Sequence, residues 1–308
     1  MHDGPLTDGR GLIALDAGRA TVEVAPGIGG SIASFRWTEG ERQFDWLRSA
    51  TADTLARADA FGMGCFPLVP YSNRIRDGGF DFAGRRITLP ATPDIDPHYE
   101  HGHGWRRPWE VDDFSRCSVT LQLDHPADAW PWHYRACQGM WLDDGGALHI
   151  TLAVSNLDTD PMPVGLGLHP YFPKTKGTRL TTRVERMWAI DREVLPTDLR
   201  TLHDTADPSR GMTVAATDLD NVFTGWDGRA EILWPESCAR LRLEVEGPLE
   251  FLVLYTPRAE PYFCAEPVSN ATDAFNLAAS GLTDTGMIVL EPGKSVKATF
   301  RFIPELLN

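Results

Sequence analysis

Apolar and polar residues alternate with a period of two in segments from one end of the chain to the other. ATVEVAP alternates at 20–26, and ALHITLAVS at 147–155 places Leu148, Ile150, Leu152 and Val154 on one face. RLRLEVEG at 240–247 sets Leu241, Leu243 and Val245 against Arg242, Glu244 and Glu246, and KATFRFIP at 297–304 repeats the pattern. Successive strand side chains point to opposite faces, so this period predicts half-buried antiparallel strands. FDFAGRRITLP at 80–90 predicts a hairpin turning at Ala83 and Gly84. Helical signal is confined to two segments. TADTLARADAFG at 51–62 has Thr51 or Asp53 as its cap, and DAFNLAASG at 273–281 makes two turns ending at Gly281. The 28 glycines and 23 prolines punctuate the strands at short intervals, and no linker or repeat interrupts them. The expectation is one large all-β domain over 1–308, a sandwich or a barrel.

Composition narrows the class of partner. Of 308 residues 42% are hydrophobic, enough for a substantial core. A formal net charge of −14 argues against nucleic acid or an anionic membrane as partner. The five cysteines, Cys65, Cys117, Cys137, Cys238 and Cys264, are widely spaced and form no CxxC, which predicts reduced thiols and not a disulfide framework. The N-terminal MHDGPLTDGR is polar, so no signal peptide is expected. No apolar run approaches the ~20 residues that span a bilayer. The expectation is a soluble, cytoplasmic protein, monomeric or homodimeric.

Four stretches break the alternation, and each gathers polar groups beside rings, glycines or prolines. In GMGCFPLVPYSNRIRDGGF (62–80), Asn73, Arg74 and Arg76 stand where a strand would want apolar residues. A guanidinium there either donates paired hydrogen bonds to sugar hydroxyls or a carboxylate, or caps a turn or pairs with Asp77. In GLGLHPYFP (165–173), His169 taken alone reads more as a core histidine than as a catalyst; an apolar wall would lower its pKa and a neighbouring carboxylate would raise it. In YFCAEPVSNATDAFN (262–276), Glu266 ends an apolar strand, where a carboxylate must be hydrogen-bonded, paired or kept for chemistry. Outside the four, and upstream of Glu266, ATDLDNVFTGW (216–226) offers Asp218 and Asp220, either of which also suits a turn cap.

The remaining stretch, EHGHGWRRPW (100–109), tests a metal site. A cupin-type HxH needs a glutamate four or five residues on, where this chain has Arg107 and Pro108. No HExxH and no cysteine–histidine cluster occurs, so no metal is expected. The glycines instead suggest close approach of backbone to a ligand, with Trp105 and Trp109 as an apolar wall for sugar C–H faces.

PLVPYSNRIRDGGF, HGHGW followed by Trp109, GLHPYF, LDNVF and AEPVSNATDAFN, in that order, resemble the aldose 1-epimerase (galactose mutarotase) family along nearly the whole chain, and GMIVLEPGKSV is similar to its closing strands. The resemblance implies a large antiparallel β-sandwich with its site in a cleft on a concave sheet face, no cofactor, and a small sugar as partner. It implies Glu266 as catalytic base and His169 as acid. It implies Arg74, with Asn73 beside it, and His101 as residues binding the sugar near its ring oxygen, and Asp220 as the carboxylate holding sugar hydroxyls. His103 has no clear equivalent and is expected only to line the pocket. Glu266 is expected to keep His169 protonated near neutral pH. The activity implied is interconversion of the anomers of a free aldose. The alternatives are a hexose 6-phosphate mutarotase, with Arg76, Arg106 and Arg107 round the phosphate, and a non-catalytic carbohydrate-binding sandwich.

Overall fold

The computed structural model describes residues 11–90, 97–202 and 207–307. The polar N-terminal decapeptide therefore lies outside the described residues. Two large antiparallel sheets dominate, one of eleven strands and one of nine. The first carries in adjacent positions Cys65–Leu68, Gly167–Pro173, Tyr262–Val268, Phe251–Tyr255 and Asp220–Thr224. The second is centred on Tyr134–Leu142, Leu148–Asn156, Ser295–Leu306 and Ala239–Glu246. Its strands keep the predicted alternation: Leu148, Ile150, Leu152 and Val154 are buried, and so are Leu241 and Leu243, while Val245 is half-buried. This is the antiparallel sandwich that the period-two pattern and the resemblance imply.

The sheets pack face to face through one large apolar cluster. Phe172 of the first sheet and Phe302 of the second meet at 6.3 Å between ring centroids. Gln138 Nε2 crosses the interface to donate to the carbonyl of Gly30 at 3.0 Å. The first sheet is then buried a second time. Phe66, Tyr171, Val222, Phe251, Val253, Cys264 and Val268 form a separate cluster on its other face, so its central strands are covered on both sides. That is why YFCAEPV reads as a nearly continuous apolar run and not as an alternating one.

Local signals behave as their chemistry predicts. The hairpin Gly79–Phe82 with Arg85–Thr88 turns at Ala83 and Gly84, both with positive φ. Thr51 caps Ala52–Ala56 by accepting from the Thr54 N–H at 3.1 Å. Ala274–Ala279 follows Asp273 and ends before Gly281, whose φ is +98°.

Phe300 lies fully buried on the long C-terminal strand, between Ile150 and Val245. Phe300→Ala is expected to cost about 3–5 kcal/mol of stability in urea denaturation. A loss under about 1 kcal/mol would show that this inter-sheet core is not what holds the sandwich closed.

Candidate active site

The site begins as a row of side chains across the first sheet. His169 pairs in register with Phe66 on one side. On the other, the pairs Gly167↔Val268 and Tyr171↔Cys264 fix the register, and their midpoint sets His169 opposite Glu266. Glu266 in turn pairs with Val253 and Val253 with Val222. Directly opposed strand residues place their Cβ atoms about 4.5–5.5 Å apart. His169 Nε2 accordingly lies 3.4 Å from Glu266 Oε1, with both side chains almost wholly buried. The next row on the same face runs Tyr171, Cys264, Tyr255, Asp220.

An arm built from two short strands closes over these rows. Arg74–Ile75 pairs with Tyr99–Glu100, and at their ends Asn73 and His101 both adopt left-handed backbone, φ +61° and +60°. The two are locked together. The His101 N–H donates to the Asn73 carbonyl at 2.9 Å, and the Asn73 N–H donates to His101 Nδ1 at 3.0 Å. Accepting that bond puts the ring proton of neutral His101 on Nε2. Burial first, then Arg74 and Arg106, push the pKa of His101 down to about 3, so it is a neutral donor near pH 7.

The polar run after Glu266 fastens this arm to the sheet. Asn270 exchanges hydrogen bonds with the backbone of Ser72 at 3.2 and 3.1 Å. The Asp273 N–H donates to the Arg74 carbonyl, and Asp273 Oδ1 accepts from the Arg76 N–H at 2.9 Å. The SNATDAFN segment thus supplies structural stitching as well as proximity to Glu266.

All six residues expected at the site, Asn73, Arg74, His101, His169, Asp220 and Glu266, line one cavity of about 300 Å³. Its electrostatics differ from expectation in one respect. Burial first, then His101 and Arg48, hold His169 well below its ordinary 6.5. Burial first, then Asp220 and Glu100, hold Glu266 well above its ordinary 4.5. Desolvation penalises both charged forms and outweighs the attraction between them. Burial thus opposes the charged form of each member of the pair, and His169 is pushed down in pKa where its carboxylate neighbour was expected to push it up. Asp220 is also raised, by burial against the pull of Arg74. Glu266 Oε2, His169 Nδ1 and Arg74 Nε are buried with no hydrogen-bond partner among the described residues.

Several neighbours fall elsewhere than expected. Trp105 and Trp109 do not wall the cavity. Trp105 stacks on Phe66 at 5.1 Å, and Trp109 Nε1 donates to the Gly104 carbonyl at 2.9 Å. The exposed ring surface comes from Phe61, Tyr171, Tyr255 and Tyr262. Gly102 and Gly104 serve backbone packing and not ligand approach. A Cβ on Gly102 would meet the Val69 carbonyl oxygen at 2.5 Å, and one on Gly104 would meet Val69 Cγ2 at 2.2 Å. His103 does not line the cavity; its Nε2 sits 2.6 Å from Tyr134 Oη and its ring lies against His125. Arg76, Arg106 and Arg107 are absent from the lining. Arg76 faces Asp273 at 3.6 Å and not Asp77, Arg107 pairs with Asp128 at 2.7 Å, and Arg106 lies over Trp105.

Sequence reasoning missed Glu100, whose Oε1 lies 3.4 Å from both Arg74 Nη2 and His101 Nε2. Its only signal was its place directly before His101. Among the described residues, His169, Cys264 and Glu266 bring three metal-ligating atoms within 4.8 Å of one another. Burial pushes the pKa of the Cys264 thiol and of the Glu266 carboxyl up, so a cation there would compete with protons for both. All five cysteines are unpaired.

Known proteins share the family and the fold of this chain. The family model described as aldose 1-epimerase matches residues 11–302. YphB of Escherichia coli (strain K12), an uncharacterized protein, is 31% identical over 239 residues, spanning 75% of this chain and 80% of that one. A crystal structure from Escherichia coli K12, provisionally named an aldose 1-epimerase, superposes with a TM-score of 0.86 at 28% identity, covering 96% of this chain and 99% of that one. A galactose mutarotase-like protein from Clostridium acetobutylicum shares the fold, with a TM-score of 0.85 at 20% identity over 96% of this chain and 95% of that one.

The raised carboxyl carries a stability consequence with a definite sign. A folded-state pKa above the unfolded one favours folding at low pH and loses that contribution as pH rises through the folded value. Glu266→Gln is therefore expected to match the unmodified protein in thermal stability at pH 4 and exceed it at pH 8. Equal melting temperatures at both pH values would show that the carboxyl is not held protonated by its surroundings.

Proposed function

The chain belongs to the aldose 1-epimerase family, and from that premise we propose that it interconverts the α and β anomers of a free aldose by acid–base ring opening and reclosure. The observation that carries the reading is the buried His169–Glu266 pair, set opposite each other by strand register at the floor of a cavity sized for one sugar ring. Mutarotation moves one proton off the anomeric hydroxyl and one onto the ring oxygen, with no net proton change. Glu266 as carboxylate takes the first, and His169 as imidazolium delivers the second. The C–O bond to the ring oxygen breaks, and the aldehyde forms. C1–C2 then rotates, and the ring closes on the other face with both transfers reversed.

The ionised pair and the neutral pair contain the same number of protons. Ring opening converts the first into the second. The neutral pair that burial favours is thus the protonation state of the open-chain complex, and burial lowers the energy of that intermediate relative to the closed ring. Arg74, Asp220 and the Nε2–H of His101 hold hydroxyls and ring oxygen in register. The hexose 6-phosphate alternative has less support, because Arg76, Arg106 and Arg107 are engaged outside the cavity. A non-catalytic binding role would leave the acid–base pair without a purpose.

The direct test is anomer exchange by proton NMR on a panel of free aldoses and glucose 6-phosphate. Glu266→Gln and His169→Asn are each expected to lower turnover about 10²–10⁴-fold while sugar binding stays measurable. Undiminished exchange in either variant would remove that residue from the mechanism. The pH profile is a second test. The active pair holds one proton; it gains a second below the lowered His169 pKa and loses its last above the raised Glu266 pKa. The acid limb of kcat/KM is expected to have its midpoint below 6.5, and a midpoint above that value would contradict a desolvated imidazole.

A further inference from the structure

The charge balance of the cavity says which aldoses it admits. Its lining carries three carboxyl groups, Glu100, Asp220 and Glu266, and a single guanidinium, Arg74. That guanidinium is already engaged. Arg74 and Glu100 are direct cross-strand partners in the arm, and their side chains, 15% and 12% exposed, face each other at 3.4 Å. The same carboxylate oxygen sits 3.4 Å from His101 Nε2, the donor left after Nδ1 is taken by the Asn73 N–H. The other basic side chains nearby point to other partners. Arg48 donates to the carbonyl of Met63 at 2.6 Å and lies over the ring of Tyr171, and Arg107 is paired with Asp128.

We propose that Glu100 is a specificity-determining residue that closes this cavity to sugars with a negative charge near the ring oxygen, namely uronates and sugar phosphates, and reserves it for neutral aldoses. The proposal rests on the mutarotase reading for the sugar's orientation, in which Arg74 and His101 lie beside the ring oxygen. The substituent on the adjacent C5 then faces Glu100. A neutral CH2OH there accepts from Arg74 or donates to Glu100. A carboxylate or phosphate at the same place meets a carboxylate whose counter-ion is already paired, in a site too buried for water to screen the repulsion.

The experiment compares galactose with galacturonate and glucose with glucuronate, which differ in the C6 charge and little in size, at pH 8. Dissociation constants come from ligand-observed NMR and kcat/KM from anomer exchange, for the unmodified protein, Glu100→Gln and Glu100→Ala. The unmodified protein is expected to prefer the neutral sugar by at least about a hundredfold. Each variant should narrow that ratio about tenfold, as removal of one like charge at a few ångströms implies. If Glu100 only holds Arg74 and His101 in place, neutral and charged sugars lose affinity alike and the ratio does not move; that result overturns the proposal. So does an unmodified protein that handles uronates as well as hexoses, or one that binds none of the four sugars. A binding ratio that shifts with no turnover on any sugar would sink the mutarotase reading and leave the charge filter standing.

Discussion

One strand register carries the chemistry of this molecule. Gly167–Pro173 and Tyr262–Val268 pair so that His169 faces Glu266, and a slip of one residue in either strand would send that strand's cavity-facing side chains to the opposite face. There they would be driven into the apolar core between the sheets, where Phe172 and Phe263 now lie. The core on one face therefore pins the His169–Glu266 pair on the other.

Burial follows from the same arrangement and sets the protonation of the pair. The first sheet is covered on both faces, so groups at its centre are withdrawn from water whichever way they point. His169 lies against Phe66 and Tyr171, with ring centroids 4.6 Å from each. Such walls solvate charge poorly and oppose the charged form of both groups. Two carboxylates in open water would offer no comparable bias.

The arm over the sheet brings selectivity. Its residues come from segments about thirty positions apart, Asn73–Arg74 and Glu100–His101, tied by a reciprocal pair of bonds and anchored by Asn270 and Asp273. Left-handed backbone at Asn73 and His101 turns both side chains at the arm's end, a conformation that asparagine and histidine tolerate better than most residues. Gly102 and Gly104 let the following loop lie against Val69. The arm's architecture is thus mostly backbone contact, with Arg74, His101 and Glu100 as the groups it presents.

What the sequence determined by itself was everything that depends on local periodicity or on motif order. The half-buried strands of the second sheet, the Ala83–Gly84 hairpin, the Thr51 cap and the family membership were legible, because each is written in neighbouring residues. So were six of the residues that line the cavity, Asn73, Arg74, His101, His169, Asp220 and Glu266, since motif order located them. Tertiary structure alone decided what those residues experience. Nothing beside His169 in the chain shows that its walls are rings from other strands, so the downward push on its pKa could not be read. Trp105, Trp109 and His103 looked like ligand contacts because rings and glycines also suit a sugar; only the packing shows them turned to Phe66, the Gly104 carbonyl and Tyr134. Glu100 had no motif to mark it. Its importance comes from standing across from Arg74 and next to His101, a relation that exists only once the two short strands have paired.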